Sequence, residues 1–325
     1  MKLLITGAAG FIGSNFVDFI LENHPEDQVV CLDKLTYAGK LENLAHHWQD
    51  SRFQFVRGDI CDQDCVFALL EREQVDCIVN FAAESHVDRS LEDPSTFLRT
   101  NVQGVCVLLD GVNAFQVPRF HQVSTDEVYG DLPLDRPEQT FSEDSPLRPS
   151  SPYSASKAAA DLLVLSYFRS FETPVTITRS SNNYGPRQFP EKLIPRMIFR
   201  AMAGQPLPVY GDGQNVRDWL HVRDHCSAVD LVIRKGLPGS VYNVGGGTEQ
   251  PNLELVKLLL ALMGKEESLI SFVPDRKGHD RRYAIDAQKI QKELGWRPVT
   301  DFSRGIRETL QWYQAHSEQG GANRE

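Results

Sequence analysis

Tyr153 and Lys157 stand four residues apart in "PYSASKAAAD". On a helix that spacing puts both on one face. An ammonium near a phenol favours the phenolate and lowers its pKa. Such a tyrosine can take a proton from an alcohol while a bound group takes the hydride. A second constellation is "VSTDEVYG", residues 123–130, where Thr125, Asp126 and Glu127 follow an apolar run. Adjacent carboxylates repel, which raises the pKa of one and leaves an acid beside a base. In a plain strand the two would point to opposite faces, so they serve one substrate only if the chain turns there. The bland alternative is a pair of charges at a helix start.

A third stretch, "TGAAGFIG", sets Gly7, Gly10 and Gly13 between an apolar run and a helical pattern, with Asp33 twenty residues further on. Gly7 allows a tight turn, Gly10 lets the backbone approach a pyrophosphate, and Gly13 lets the helix pack against a sheet. Asp33 is placed to accept hydrogen bonds from an adenosine ribose. Its charge repels a 2′-phosphate, which favours NAD over NADP, with neighbouring Lys34 acting in the opposite sense. Phe11 and Ile12 inside the loop, and Lys34, Leu35 and Thr36 after Asp33, complete this expected cofactor wall. Asp59 and Ile60 are placed to flank the adenine. Phe81, Ala82, Ala83 and Ser85 are mostly small residues at the end of a strand, where they leave room for a cofactor. Thr100 and Asn101 read either as helix caps or as cofactor contacts.

These residues need a sheet to carry them. Apolar runs at 2–6, 28–33, 53–60, 75–83, 119–128 and 174–185 read as strands, alternating with helical patterns at 11–24 and 100–115. That alternation predicts an α/β fold with a doubly wound, mainly parallel sheet covered on both faces. The expected dinucleotide-binding Rossmann domain spans 1–185. A smaller mixed C-terminal substrate-binding domain spans 186–316, with strands at 207–211 and 241–247, helices near 252–263, 286–294 and 303–316, and some chain crossing back to the sheet. Residues 317–325 read as a flexible tail.

The chain has 325 residues and a formal charge of −10, which argues against a nucleic-acid binder. The apolar stretches are far short of a membrane span, and that at the N-terminus is too short for a signal peptide. The expected setting is cytoplasmic, without membrane attachment. The six cysteines are scattered, and only Cys61 and Cys65 are close, so they read as reduced apolar residues rather than a zinc set; no metal is expected.

Together the glycine loop, Thr125, Tyr153 and Lys157 resemble the extended short-chain dehydrogenase/reductase family, whose members act on nucleotide sugars. "STDEVYG", "FAAESHVDRS", "NNYGP", "QFPEKLIP", "RDWLHVRDH" and "GHDRRYAID" are similar, in order and spacing, to its 4,6-dehydratase branch. The resemblance implies a nucleoside-diphosphate hexose substrate, with dTDP-glucose expected and a uridine nucleotide open. It implies C4 oxidation, elimination of water across C5 and C6, and return of the hydride to C6. Redox alone does not require a second acid–base pair, but elimination does. By resemblance Asp126 is the acid at the C6 oxygen, Glu127 the base at C5, and Thr125 a hydrogen-bond partner of the C4 oxygen; the residues alone leave the acid and the base interchangeable.

The resemblance further places Ser85, His86 and Asn182 at the substrate and Asn183 on the cofactor side. Lys192 and Leu193 approach the nucleotide, and Pro208, Val209 and Tyr210 line or stack on the base. Arg217 is expected at the phosphates. Asn252, Asp275, Arg276, His279 and Tyr283 close the pocket, and a homodimer through two helices is implied. Arg187, Lys277 and Thr248 depart from the family pattern, which commonly has an aromatic, a proline and an asparagine there. Two rival readings are an epimerase or decarboxylase of the same family, which does without the Asp126–Glu127 pair, and a non-catalytic NAD-binding regulator, which would lack Tyr153, Lys157 or the carboxylates.

Overall fold

The structure is a computed structural model that describes residues 1–316, so the expected tail at 317–325 lies outside the described residues. The strands are β1 (Lys2–Thr6), β2 (Gln28–Asp33), β3 (Phe53–Arg57), β4 (Cys77–Asn80), β5 (Phe120–Thr125), β6 (Val175–Ser180), β7 (Asn182–Tyr184), β8 (Leu207–Tyr210), β9 (Val216–His221), β10 (Ser240–Val244), β11 (Glu249–Pro251) and β12 (Ile270–Val273). Seven of them form one sheet in the order β10-β6-β5-β4-β1-β2-β3, and every pairing in it is parallel. A sheet buried on both faces takes near-continuous apolar strands, which is how "KLLIT", "QVVCLD" and "CIVN" read. The order reverses between β1 and β4, and the crevice beyond their carboxyl ends is where such sheets bind ligands.

The helices are α1 (Phe11–Asn23), α2 (Gln63–Glu73), α3 (Val87–Glu92), α4 (Pro94–Leu98), α5 (Gly104–Ala114), α6 (Pro152–Phe171), α7 (Leu193–Met202), α8 (Val222–Lys235), α9 (Asn252–Leu262), α10 (Gln288–Leu294) and α11 (Phe302–Ala315). On one face of the sheet α2, α5 and α6 bury Leu69, Leu108 and Val164. On the other, α1 and α8 bury Phe16, Ile20, Cys226 and Val229. A separate core joins α7, β8, β9, α9 and α11 through Ile198, Val209, Trp219, Leu259 and Leu310. Among the described residues no helix is long and apolar enough to cross a membrane.

The crossing back to the sheet is made by α8 and β10. The stretch 241–247, expected in the smaller domain, supplies the edge strand beside β6, with Val241 opposite Ile177. The strand expected at 174–185 is two strands: β6 stays in the main sheet, while β7 leaves it to pair with β9. Strand β5 stops at Thr125, and residues Asp126–Tyr129 form a tight helical turn.

Candidate active site

The loop between β1 and α1 shows why its glycines are there. Gly7 has φ +66, and a Cβ on it would lie 2.6 Å from the Ala82 amide nitrogen. A Cβ on Gly13 would lie 2.3 Å from the Gly7 carbonyl oxygen, so the turn and the helix close on each other only without side chains. Gly10 caps α1 without any side-chain hydrogen bond, and the first turn carries no acidic residue. The free first-turn amides therefore present partial positive charge to the cleft, the requirement for a pyrophosphate. Asp33 is buried at the end of β2, its two oxygens accepting from the amides of Ala9 at 2.9 Å and Leu35 at 2.7 Å. Lys34 pairs with Asp59 at 2.7 Å, which turns its ammonium away from a phosphate role beside Asp33.

This loop opens into a cleft of about 300 Å³ that is continuous with solvent. Its walls bring together Gly7, Gly10, Phe11, Ile12, Gly13, Asp33, Lys34, Thr36, Asp59, Ile60, Phe81, Ala82, Ala83, Ser85, Thr100 and Asn183 with Thr125, Asp126, Glu127, Tyr153, Lys157, Asn182 and Lys192. Leu35 stands outside the wall: its side chain packs on the core beside α1. Asn101 is neither a cap nor a wall residue. It is buried, receives the Glu84 amide at 2.9 Å, and donates to the Glu84 carbonyl at 3.0 Å and to Ser156 at 2.8 Å, locking the strand-four loop onto α6.

The turn after β5 resolves the problem of two carboxylates on opposite faces. The Thr125 hydroxyl accepts from the Glu127 amide at 3.3 Å and donates to Asp126 Oδ1 at 3.2 Å, so a helical turn replaces strand geometry. Asp126 Oδ2 is buried without a partner among the described residues. Burial, and then the charge of Glu127, holds the Asp126 carboxyl well above its ordinary range. Burial also raises Glu127, against the pull of Lys192, Arg276 and Arg217. Helix α6 starts with a capping box between Ser151 and Ser154 and has Pro152 in its first turn, which sets the register of Tyr153 and Lys157.

Burial, followed by the Glu127 charge, raises the Tyr153 phenol, with the Thr125 hydroxyl pulling the other way. Lys157 donates to the Val123 carbonyl at 2.7 Å. Its own pKa falls to about 8 through burial, with Asp161 acting against the fall.

On the substrate side Lys192 donates to the Ser85 carbonyl at 2.7 Å. Arg217 donates to the carbonyls of Val216 at 2.8 Å and Asp280 at 2.9 Å, with its guanidinium carbon 4.3 Å from the centre of the Tyr283 ring. His279 bonds Asp275 at 2.6 Å and meets the Tyr210 ring edge-on at 6.1 Å, while Arg276 pairs with Asp88 at 3.4 Å. The Asn252 side-chain oxygen is buried without a partner among the described residues. His86 caps α3, its Nδ1 accepting from the Arg89 amide. Leu193 starts α7 and packs on the core of the smaller lobe.

Val209 has its side chain 3% exposed in that core, whereas Pro208 and Tyr210 on either side are partly exposed. Successive strand residues face opposite ways, so Val209 would meet a base through its backbone rather than its side chain.

The cleft also holds residues that the sequence did not single out: Glu84, Ser124, Ser180, Ser181, Gln188, Phe189 and Glu191. The serines sit at or just past the ends of β5 and β6, which was signal enough once the crevice was placed. Glu191 is adjacent to Lys192. It accepts from the Tyr37 hydroxyl at 3.0 Å and lies 3.7 Å from His86, tying three cleft loops together.

The comparisons with known proteins agree with this geometry. The family model described as GDP-mannose 4,6 dehydratase matches residues 4–309. A dTDP-glucose 4,6-dehydratase of Actinoplanes sp. is 51% identical over 321 residues, covering 97% of this chain and 98% of the relative. The crystal structure of a dTDP-glucose 4,6-dehydratase of Streptomyces venezuelae, with NAD bound, superposes with a TM-score of 0.95 at 47% identity over 99% of both chains. A UDP-glucose 4-epimerase of Thermotoga maritima reaches a TM-score of 0.89 at 29% identity, covering 98% of this chain and all of its own, so backbone shape alone does not separate the two chemistries. Half identical from end to end to dTDP-glucose 4,6-dehydratases, and carrying two carboxylates in the turn beside the tyrosine and lysine, the chain belongs to the nucleotide-sugar 4,6-dehydratase family.

Proposed function

We propose that this protein converts dTDP-glucose to dTDP-4-keto-6-deoxy-glucose with NAD as a cofactor that is regenerated in each cycle. The observation that carries this is the position of Asp126 and Glu127, in one turn and in one cleft with Tyr153, Lys157 and the glycine loop. The loop fits the cofactor: the uncapped N-terminus of α1 would hold the pyrophosphate, and Asp33 would accept from the ribose hydroxyls. NAD supplies the hydride acceptor at C4 and the hydride donor at C6.

The chain's own residues move the protons. Tyr153 serves as base in its phenolate form, which the positive charge of bound NAD would favour against burial; in that form it takes the proton of the C4 hydroxyl as the hydride leaves C4, and Thr125 hydrogen-bonds the C4 oxygen. The C4 ketone acidifies C5, and Glu127 removes the C5 proton. Asp126, whose protonated form burial and the Glu127 charge favour, delivers its proton to the C6 oxygen as the C6–O bond breaks and water departs. Hydride addition at C6 and protonation at C5 complete the product. An epimerase, the reading that the backbone alone would also allow, has no step for the second acid–base pair.

Lys192, Arg217 and Arg276 offset the diphosphate charge in a chain that is acidic overall. A two-lobed division near residue 186, with α8 and β10 crossing back to the sheet, would set the nucleotide-sugar side on α7, β8, β9 and the segment around Tyr283; the separate core that joins α7, β8, β9, α9 and α11 supports it. A homodimer fits Leu98, Leu162 and Phe171, which are 54%, 59% and 62% exposed at and beside α6. A cytoplasmic setting fits six cysteines that are all unpaired. The test is incubation with dTDP-glucose and with UDP-glucose separately, followed by mass analysis. The expected result is a 4-keto-6-deoxy product from dTDP-glucose with no net consumption of NAD. Steady accumulation of NADH, or a C4 epimer as sole product, overturns the reading.

A further inference from the structure

Outside the cleft, on the far side of α1, three side chains converge. Asp18 comes from α1, and His46 and His47 end the helical turn Leu41–His47. Nε2 of His46 lies 2.9 Å and Nε2 of His47 lies 2.7 Å from the same oxygen, Asp18 Oδ1. The three atoms all lie within 4.8 Å of one another. Two imidazole nitrogens and one carboxylate oxygen are the donor set of a zinc-class cation. An imidazole that carries its proton on Nδ1 offers the Nε2 lone pair to a metal. Metal–ligand distances of about 2.0–2.1 Å need the spacings to Oδ1 to open by only about 0.5 Å. The His46 side chain is 49% exposed, which leaves an entry path and room for a water as fourth ligand.

The other oxygen of Asp18 is held by Arg187 Nη2 at 2.7 Å. Arg187 sits in a left-handed backbone conformation, φ +72, at the start of the loop that carries Gln188 and Lys192 into the cleft. Asn15 supplies a second tie from α1, donating to the Pro186 carbonyl at 3.1 Å. A divalent charge on Asp18 repels the guanidinium and competes for the carboxylate, so the loop loses its ionic anchor.

We propose that Asp18, His46 and His47 form a zinc-class cation site whose occupation releases Arg187 and weakens nucleotide-sugar binding. The site itself stands independently of the proposed reaction; only its effect on substrate rests on that reading. Calorimetric titration of the full chain with zinc chloride tests the site, and cobalt substitution adds a visible d–d spectrum. The expected result is one saturable zinc per chain, lost in Asp18→Asn and in His46→Gln. The second variant alters a half-exposed side chain outside the buried core. His24→Gln, whose ring pairs with Asp230 elsewhere, should retain the zinc. Zinc should then raise KM for dTDP-glucose severalfold in the wild type and leave KM unchanged in His46→Gln. No saturable binding, or binding that survives both ligand substitutions, overturns the site. Saturable binding with KM unmoved overturns the release of Arg187.

Discussion

Replacing Glu127 with Gln removes one charge and keeps the shape of the side chain. The turn survives, because it is held by the Glu127 amide and the Thr125 hydroxyl rather than by the carboxylate. Loss of a general base costs about 10²–10⁴-fold in rate, or roughly 3–5 kcal/mol of barrier. The structure adds a direction that this figure lacks. After burial, the Glu127 charge is the largest cause raising both Tyr153 and Asp126. Without it the phenol ionises more readily, so C4 oxidation persists and its pH dependence moves to lower pH. The same change brings the Asp126 carboxyl closer to its ordinary range. Rapid mixing of Glu127→Gln with dTDP-glucose should show reduced cofactor forming and persisting, while product appears slowly. In deuterium oxide the recovered sugar should carry little deuterium at C5, whereas Asp126→Asn should retain more of that exchange. Exchange at the wild-type rate in Glu127→Gln would falsify the assignment of the base.

Three further outcomes follow from buried groups. Because burial and then the Glu127 charge raise the Asp126 pKa above its ordinary 3.8, its contribution to stability is fully present below that value and is lost as pH rises through the folded-state pKa. Asp126→Asn should therefore melt above the wild type at neutral pH, with the gap closing toward pH ~3.5, while activity falls; calorimetry across pH checks the sign. Gly13→Ala places a Cβ 2.3 Å from the Gly7 oxygen and 2.9 Å from Ala8 Cα. It should cost about 1–3 kcal/mol in urea unfolding and weaken NAD binding measured by fluorescence titration. Arg179 and Asp161 form an ion pair at 2.8 Å with side chains 3% and 0% exposed. Arg179→Met should destabilise by about 3–5 kcal/mol, and the double variant with Asp161→Leu should recover most of the loss, since the cost lies in the unpaired buried charge.

What could be read along the chain was whatever its local chemistry already expressed. The run "KLLIT", the glycines after it and Asp33 at the end of the next apolar run specify strand, turn and strand within a few dozen residues. The parallel sheet follows, because strands that alternate with helices have few other ways to bury both faces. The proposed catalytic set could be picked out for the same reason: Tyr153 and Lys157 share a helix face, and Thr125, Asp126 and Glu127 are contiguous, and the structure brings all five to one cleft. Less legible was the direction of each side chain at 208–210, where strand alternation turns Val209 into the core and leaves Pro208 and Tyr210 partly exposed.

The sequence by itself thus determined the order of elements and the dinucleotide loop, and it set the proposed acid–base residues in two short segments, all of which depend on neighbours a turn or a strand away. The tertiary structure alone decided the rest. β10 joins the main sheet beside β6 only because α8 crosses back over it, a pairing between residues more than sixty positions apart. The high pKa values of Asp126 and Tyr153 arise from burial, which no spacing of letters expresses. Asp18 meets His46 and His47 across 28 and 29 residues, and Arg187 reaches the same carboxylate from a distant loop. Such contacts are set by how the packed helices lie on the sheet, and the free energy that selects them belongs to the whole core rather than to any segment of the chain.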